Sequence, residues 1–442
     1  MTPQSAIVDA GRGLLPQDLR AWLEQHADAL DDGSLDAATV LPRLAAAGVF
    51  RQGVPQAQGG LPGTDIGDAI EAVSQVAELS VASAFVAWGQ RVFIEYLLRS
   101  PNTALAGAWL APLLAGEQAG ATALSNAMKF LSGIESLQIG AREEDGQWVL
   151  DGRMPWVTNL RVQGFLVAAA VTAPDGTPAV VALPHDIAGL ARSPDLSLLA
   201  LQSSNTAALD VRGVRIGPEW LIHPDAREYL PQARPAFAGL QCGLSIGLAR
   251  RALLAAAQAG QGQASRGILG APLQALREQV DALSDSLIEG VRNGRFVSEP
   301  WALFEIRIAL AEAANQAVQL ELQASGGAAY LRPAGAGFAR RWREAAFLPI
   351  VTPSLVQLKT ELATRQARLA AGAAARRRRR KPCCEPGAWR SATRARPARC
   401  SRAWTWIWRA ARWWPCWAPA ARANRACCGC WPACSPPAPA RC

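Results

Sequence analysis

The residues best suited to chemistry lie in one short segment, Gln147–Asn159. Alternation of apolar and polar side chains is typical of a half-buried strand, and Asp151-Gly152 predicts a two-residue turn. A second strand would then present Trp156 and Thr158 on one face, because strand side chains repeat every two residues. An indole beside a small hydroxyl suits the wall of a flavin site. The same pattern also fits a hairpin with a core Trp and a surface Thr.

The elements around this segment change character twice along the chain. Helical periodicity from about Leu14 to Leu114 gives way to short β runs separated by turns, and helical periodicity returns after Pro224. This pattern predicts an α+β protein. The predicted regions are a helical domain at 1–118, a β-domain at 119–223, a helical bundle at 224–372 and a tail at 373–442.

Some individual elements follow from the same pattern. We expect a first strand at Ala121–Ser125 and two bundle helices at Gly239–Leu253 and Pro272–Val291. In the N-terminal helices, Trp88 is expected in the core and Gln90 on the surface. Either side chain would face a pocket if this region lines the site.

Composition separates the last residues from the rest. The whole chain has a formal charge of +9, but sixteen Lys/Arg and one acid after Ala375 give the tail +15 and leave −6 for the body. Nine of the ten cysteines also lie in the tail, so a body with Cys242 alone was not built on disulfides. No apolar run reaches a membrane span and no signal peptide opens the chain, so we expect a cytoplasmic protein without membrane or nucleic-acid partners.

The tail has the composition of a misread gene. A basic run interleaved with aromatics could bind nucleic acid, and clustered cysteines could bind zinc. However, shifting the frame of back-translated Trp413–Cys434 by one base permits Gly-Pro-Ser-Gly-Ala-Gly-Lys-Ser, a P-loop of the kind found in transporter ATPases. We therefore interpret the tail as disordered, out-of-frame sequence from a neighbouring ABC-transporter gene, and predict no metal site.

Several segments, in the correct order, resemble the acyl-CoA dehydrogenase superfamily. The resemblance implies an N-terminal α-helical domain, a small β-barrel-like middle domain, a C-terminal four-helix bundle, bound FAD, and a homo-oligomer (dimer or tetramer). The segments are Trp156–Asn159 for Trp-x-Thr-Asn, Ala123–Asn126 for the flavin-contacting Leu-Thr, Gly243–Arg250 for the first long C-terminal helix, Ser265–Gly270 for an Arg-containing loop, and Gln323–Gly327 for Gln-x-x-Gly-Gly.

The resemblance also assigns site residues. It implies that one group of residues contacts the flavin ring and that Arg234 contacts the substrate. It also implies that a second group of residues holds the pyrophosphate and adenylate half of FAD across a subunit interface. The ring group is Leu124, Ser125, Trp156 and Thr158, and the second group is Arg266, Gln323, Gly326 and Gly327.

The catalytic carboxylate of the superfamily is missing. Thr352 stands at the usual Glu position, and Ala233 stands at the alternative position before Arg234. A hydroxyl cannot act as a general base near neutral pH. Glu344 is the nearest acid, and we expect it to be a helix-surface partner for an Arg.

Three functions remain open. The first is an FAD-dependent oxidoreductase outside mainstream β-oxidation, acting on a small molecule. The second is a reduced-flavin monooxygenase in organosulfur assimilation, using FMN from a partner flavin reductase, with Ser125, Asn126 and Trp156 as candidate donors to the flavin. The third is a non-catalytic protein that binds flavin or acyl-CoA. The first function is favoured, because Arg266 and Gln323 suit the adenylate half of FAD, which FMN lacks.

The tail interpretation can be tested by truncation. A chain that ends at Ala375 should keep its flavin and its free energy of unfolding to within about 0.5 kcal/mol, as expected for removal of sequence without packed contacts. Denaturant titration and flavin absorbance measure the two properties. Loss of several kcal/mol would show that the tail belongs to the fold.

Overall fold

In a computed structural model of the protein, the described residues are 13–131, 133, 135–260 and 264–379, without the side chains of 264–266 and 374–379. They form one compact unit of helices, a sheet and further helices. The predicted α+β class and the order of helical, β and helical regions are confirmed. Most of the tail, interpreted as a misread, disordered segment, falls on residues outside the described part of the chain. Its first residues, 373–379, belong instead to the last helix, which ends at Arg379.

The N-terminal region consists of five α-helices. Asp65 begins the third helix with a capping box, in which its carboxylate accepts from the backbone of the first turn. The fourth helix is buried on all sides, as expected of a helix in the centre of a core. The helices are α1 (Gln17–Asp32), α2 (Val40–Ala46), α3 (Ile66–Leu79), α4 (Val81–Leu98) and α5 (Thr103–Leu114).

Eight strands form the sheet that follows. The order is β6-β7-β3-β2-β4-β5-β8, and β1 pairs in parallel with β4. One helix, α6 (Ser125–Leu131), lies between the first two strands. The strands are β1 (Ala119–Thr122), β2 (Ile139–Glu144), β3 (Gln147–Val157), β4 (Phe165–Thr172), β5 (Pro178–Pro184), β6 (Leu190–Arg192), β7 (Ala207–Ile216) and β8 (Leu221–His223).

Two predictions for the β region were wrong. Asp151-Gly152 is not a turn, since β3 continues through it, and the β2–β3 hairpin turns at Asp145-Gly146 instead. Both residues of that turn have positive φ, 54° and 76°, which a two-residue hairpin requires. The predicted first strand, Ala121–Ser125, ends early at Thr122, because helix α6 begins at Ser125.

The C-terminal region is helical, and the two predicted bundle helices lie inside α7 and α8. Helices α7, α8 and α10 pack against one another, and α12 packs against α10. The N-terminal helix α3 also packs along α7. The helices are α7 (Ala226–Gly260), α8 (Gly270–Arg292), α9 (Arg295–Ser298), α10 (Pro300–Ser325), α11 (Ala336–Phe347) and α12 (Leu355–Arg379).

No helix among the described residues has both the length and the apolar content needed to cross a membrane. The same part of the chain contains no group of three or more His, Cys, Asp or Glu side chains placed to hold a metal ion.

Close approach of α3 and α7 depends on glycine. A Cβ atom at Gly247 would lie 2.1 Å from the carbonyl oxygen of Ser74 and 2.6 Å from the Cβ of Ala77. Because the nearest atom belongs to the backbone of another helix, a side-chain rotation cannot relieve this contact.

We predict that Gly247→Ala lowers the free energy of unfolding by about 1–3 kcal/mol, the usual cost of overpacking a core. The matched control is Gly372→Ala on exposed α12, where nothing lies within 4 Å of the added Cβ. It should raise stability by roughly 0.5–1 kcal/mol, since Ala favours helices more than Gly does. Denaturant titration measures both changes. Equal effects at the two sites would contradict the proposed contact.

Candidate functional site

Trp156 and Thr158 do not share a face, contrary to the prediction. The indole of Trp156 is 65% exposed, whereas Thr158 is 4% exposed and lies just beyond the end of β3. The cause is a register shift against β7: Met154 pairs with Leu209, but Val157 pairs with Ala207. This extra residue is a β-bulge, which changes the direction of the side chains that follow it. The exposed indole remains able to cover a planar ring.

The hydroxyl of Thr158 is engaged inside the protein. It donates to the carbonyl oxygen of Ser204 at 3.1 Å and accepts from the hydroxyl of Thr206 at 3.3 Å. The Thr206 and Ser204 hydroxyls are also 2.8 Å apart. The predicted bond from Thr158 to a flavin edge would therefore require this network to rearrange.

Gln90 is the centre of a buried group of hydrogen bonds next to the end of β3, although it was predicted to lie on the surface. Its side chain is fully buried. The amide nitrogen donates to the carbonyl oxygens of Leu113 and Gln118 at 2.8 and 2.9 Å, and the amide oxygen accepts from Gly120 at 2.6 Å and from Asn159 at 2.9 Å. All four hydrogen-bonding positions of the amide are thus used. Gln90 joins α4 to both β1 and the end of β3.

Trp88, in the same helix, lies in the core as predicted. It is 3% exposed, its ring nitrogen donates to the carbonyl oxygen of Phe237 at 3.2 Å, and its indole contacts Phe85 and Phe237. Trp88 therefore fixes α4 against α7.

Leu124 and Ser125 lie where β1 gives way to α6. Leu124 is fully buried and Ser125 is partly exposed. The next residue, Asn126, is committed to the local fold: its amide nitrogen donates to Glu135 and to the Ser136 carbonyl, and its amide oxygen accepts from the Gln138 backbone. Of the two polar side chains, Ser125 is the better candidate to contact a ligand.

Two residues of α6, Met128 and Leu131, line a small cavity at the helical bundle. Arg234 on α7 also lines it, and its guanidinium lies 5.5 Å from the ring centre of Phe304. Its Nε is buried and has no hydrogen-bond partner among the described residues, and burial lowers its pKa despite the nearby Glu361. The lining residues are Met128, Leu131, Arg234, Phe304, Pro353, Leu358 and Glu361.

The two positions at which the resemblance expects a carboxylate lie next to lining residues of this cavity in sequence. Ala233 is buried and precedes Arg234, and Thr352 precedes Pro353. The carbonyl oxygen of Thr352 accepts from the side-chain amide of Gln241 at 2.9 Å. Neither Ala nor Thr can hold a proton in the way that a carboxylate does.

Arg307 holds the loop before Thr352 from the interior. It is 1% exposed, and its Nε donates to Gln241 at 2.7 Å while Nη2 reaches the carbonyl oxygens of Leu348 and Val351, each at 3.3 Å. Its Nη1 is buried without a hydrogen-bond partner among the described residues. Desolvation by burial lowers its pKa. The sequence analysis missed Arg307, although a charged residue in the apolar run Ile306–Leu310 was a usable signal.

The cofactor residues assigned to a subunit interface lie near the ends of α8 and α10. Arg266 lies in a short 3-10 helix, Ala264–Leu269, and its side chain is outside the described part. Gln323 is exposed, and Gly326 and Gly327 begin a second 3-10 helix after α10. Gly326 has a φ of 59°, which favours glycine at this helix end. These residues and Trp156 are not joined by any described contact.

Comparison with known proteins identifies the architecture. No family model matches the chain, and no curated protein matches it by sequence. Butyryl-CoA dehydrogenase from Megasphaera elsdenii superposes with a TM-score of 0.69 at 17% identity, over 79% of this chain and 95% of that one. The chain has the acyl-CoA dehydrogenase fold.

Two further structures with the acyl-CoA dehydrogenase fold are similar to this chain. KijD3, solved with FMN and a dTDP-linked amino keto sugar, has a TM-score of 0.68 at 20% identity, over 82% of this chain and 94% of that one. A nitrososynthase from Micromonospora carbonacea var. africana has a TM-score of 0.66 at 22% identity, over 83% and 97%. The likeness covers nearly the whole length of each protein.

Glu344 is buried, contrary to the prediction of a surface position. It is 2% exposed, accepts from the backbone of Val81 at the start of α4 at 3.2 Å, and lies 3.9 Å from Arg340. Burial is the main cause that raises the pKa of this carboxyl to about 7; Arg340 and Arg341 oppose this shift, and the nearby Asp31 adds to it. Glu344 therefore joins α11 to α4 and lies in the core.

The raised pKa predicts how stability depends on pH. The folded protein holds this proton more tightly than the unfolded chain, so stability contributed by Glu344 falls as pH rises from about 4.5 to about 7 and is constant above that. The stability lost over this pH range is at most ~3 kcal/mol, since one pKa unit corresponds to about 1.4 kcal/mol.

We predict that Glu344→Gln removes this pH-dependent part of the free energy of unfolding. The variant keeps a side-chain oxygen that can accept from the backbone N–H of Val81. Denaturant titrations between pH 5 and pH 8 measure the pH-dependent part. The control is Glu312→Gln, because Glu312 forms an exposed pair with Lys359, and such pairs contribute little to stability. An unchanged pH profile in the Glu344 variant would contradict the assignment.

Proposed function

We propose that the protein is a flavin-dependent oxidoreductase that acts on a small molecule outside mainstream β-oxidation. The observation that supports this proposal is the acyl-CoA dehydrogenase fold, together with the motif resemblance, which places Thr352 and Ala233 at the two carboxylate positions. The loop bearing Thr352 is anchored by Gln241 and Arg307. We therefore regard the loss of the carboxylate as a feature of an ordered site.

In this proposal the chain's own residues bind and orient the flavin. When bound, a flavin accepts or donates two electrons, which is the redox chemistry that side chains lack. The exposed indole of Trp156 would cover the ring, and Ser125 would offer a hydroxyl to it. Arg234 is the residue that we propose to contact the substrate, as the resemblance implies.

We propose FAD as the cofactor and a homo-oligomer, dimer or tetramer, as the assembly. The support is the resemblance of Arg266, Gln323 and Gly326-Gly327 to segments that hold the adenylate half of FAD across a subunit interface. Guanidinium groups suit pyrophosphate because they form paired, charge-assisted hydrogen bonds. A cytoplasmic location is part of the same proposal.

A second candidate is a reduced-flavin monooxygenase with FMN supplied by a reductase. Oxygenation of this kind needs no carboxylate base, which favours this candidate. The similar structures also include KijD3 with FMN and a nitrososynthase. Ser125 and Trp156 remain candidate donors to the flavin, whereas Asn126 is engaged by Glu135, Ser136 and Gln138. A third candidate is a non-catalytic protein that binds flavin or acyl-CoA.

We predict that the FAD-loaded protein is a poor acyl-CoA dehydrogenase. Loss of a positioned general base costs about 10²–10⁴-fold in rate, so anaerobic mixing with short to long acyl-CoA thioesters should bleach the flavin slowly or not at all. Thr352→Glu should accelerate bleaching, because it returns a carboxylate to the usual position. Thr364→Glu, on an exposed turn of α12, is the control and should not.

Rapid bleaching of the unmodified protein with formation of enoyl-CoA would overturn this proposal. Oxygen consumption with an organosulfur compound and reduced FMN would instead favour the monooxygenase. A purified protein that retains flavin but passes neither test would favour the non-catalytic alternative.

A further inference from the structure

A second, larger cavity is a groove between helices α10 and α11, with a volume of about 170 Å³. Each helix contributes three residues spaced i, i+3 and i+4, which places them on one face of that helix. The space between the two faces stays open because two of the six residues are alanines. The lining residues are Asn315, Val318 and Gln319 of α10 and Trp342, Ala345 and Ala346 of α11.

A buried ion pair fixes the spacing of the two helices beside the α10–α11 groove. The Nε of Arg341 on α11 donates to the carboxylate of Glu321 on α10 at 2.8 Å, and both side chains are buried. In sequence, Arg341 directly precedes the lining residue Trp342, and Glu321 lies two positions after Gln319. Separating a buried pair of charges is costly, so the helices are held at this distance. The groove is therefore formed before any ligand binds, which lowers the cost of binding.

Asn315 supplies the groove with one oriented hydrogen-bond acceptor. Its amide nitrogen donates to the carbonyl oxygens of Ala311 and Ala345, at 2.9 and 3.4 Å. Carbonyl oxygens can only accept, so the amide cannot turn over without losing both hydrogen bonds. Within the described part of the chain, no donor is bonded to the amide oxygen. A ligand that carries an O–H or N–H group can therefore bind there.

Trp342 supplies an aromatic wall. The indole contacts Phe338, with 5.6 Å between the ring centres and 57° between the ring planes, yet the side chain of Trp342 remains 42% exposed. The indole can therefore contact a further ring, and aromatic rings attract one another in stacked or edge-to-face arrangements. None of the six lining residues is ionisable, so the groove favours a neutral ligand, which needs no charged partner.

The volume of the groove limits the ligand to about one ring. A closed apolar cavity of about 150 Å³ can hold one molecule of benzene. At about 170 Å³, the groove has room for one such ring with a small substituent. A phenol combines the ring with a hydrogen-bond donor, and it is neutral near pH 7 because the pKa of a phenolic hydroxyl is about 10.

We propose that the α10–α11 groove binds a small single-ring phenol, with the ring against Trp342 and the hydroxyl donating to the amide oxygen of Asn315. None of the lining residues is among those assigned above to the flavin or to the substrate. Binding in the groove is therefore independent of the proposed oxidoreductase function. Because the bound ring contacts both helices of the folded protein, it also stabilises the packing of α11 against α10.

The test compares phenol with two molecules of similar size. Toluene keeps the aromatic ring and lacks the hydroxyl, whereas cyclohexanol keeps the hydroxyl and lacks the aromatic ring. Ligand-observed NMR titration of the full-length protein should give phenol a dissociation constant on the order of 1 mM, a typical affinity for so small a ligand. Phenol should bind about threefold or more tightly than either of the others, because each lacks one of the two contacts.

Three variants locate the binding. Ala346→Phe should abolish phenol binding, because Ala346 is exposed and an added ring at this position fills the groove. Trp342→Leu should remove the preference for phenol over cyclohexanol and keep the preference over toluene, since the acceptor on Asn315 is unchanged. The control is Tyr330→Leu, because Tyr330 is an aromatic side chain that is 82% exposed and does not line the groove. This variant should bind phenol as the unmodified protein does.

Equal binding of the three molecules by the unmodified protein would overturn the inference. Failure of phenol to bind would do the same, including the case in which another copy of the chain covers the groove. Phenol binding that survives Ala346→Phe would place the ligand elsewhere and also overturn it. Tighter binding of N-acetyltyrosinamide than of phenol would assign the groove to a side chain of a polypeptide rather than to a free phenol. If Trp342→Leu does not fold, the three ligands and the Ala346 variant still decide the matter.

Discussion

The structure depends on one fully satisfied amide in its interior. Gln90 makes four hydrogen bonds that join α4 to the first strand and to the end of β3. A buried amide with unmet hydrogen bonds would destabilise the core, but one with all of them satisfied specifies a single arrangement of the elements around it. The second helical region is joined to the same helix by Trp88 and by Glu344. Helix α4 is therefore the element against which both the sheet and the bundle are positioned.

Sequence patterns predicted the elements well and the interior polar groups poorly. Periodicity identified the helical and β regions because it reports which side of an element is apolar. Gln90 and Glu344 were misplaced, since their burial depends on partners that are distant in the chain, such as Asn159 and Val81. The prediction that Trp156 and Thr158 lie on one face of the strand was also wrong, because periodicity assumes a regular register and β3 contains a bulge.

The candidate site has an ordered loop, because the residues around Thr352 are held by Gln241 and Arg307. The motif resemblance places Thr352 and Ala233 at the two carboxylate positions. Their sequence neighbours, Pro353 and Arg234, line one small cavity. Motifs could not indicate Arg307, whose importance lies in packing between α7 and α10.

The bulge in β3 has a consequence for how this protein could diversify. Trp156 points away from the core because of one additional residue in the strand, and, at 65% exposure, most of its side chain lies outside the packing that holds the sheet together. Its replacement by a smaller or more polar residue would leave the fold intact. The surface offered to a planar ligand can thus be altered by single substitutions at negligible cost in stability, so related chains can acquire different reactivity at this position without rebuilding their scaffold.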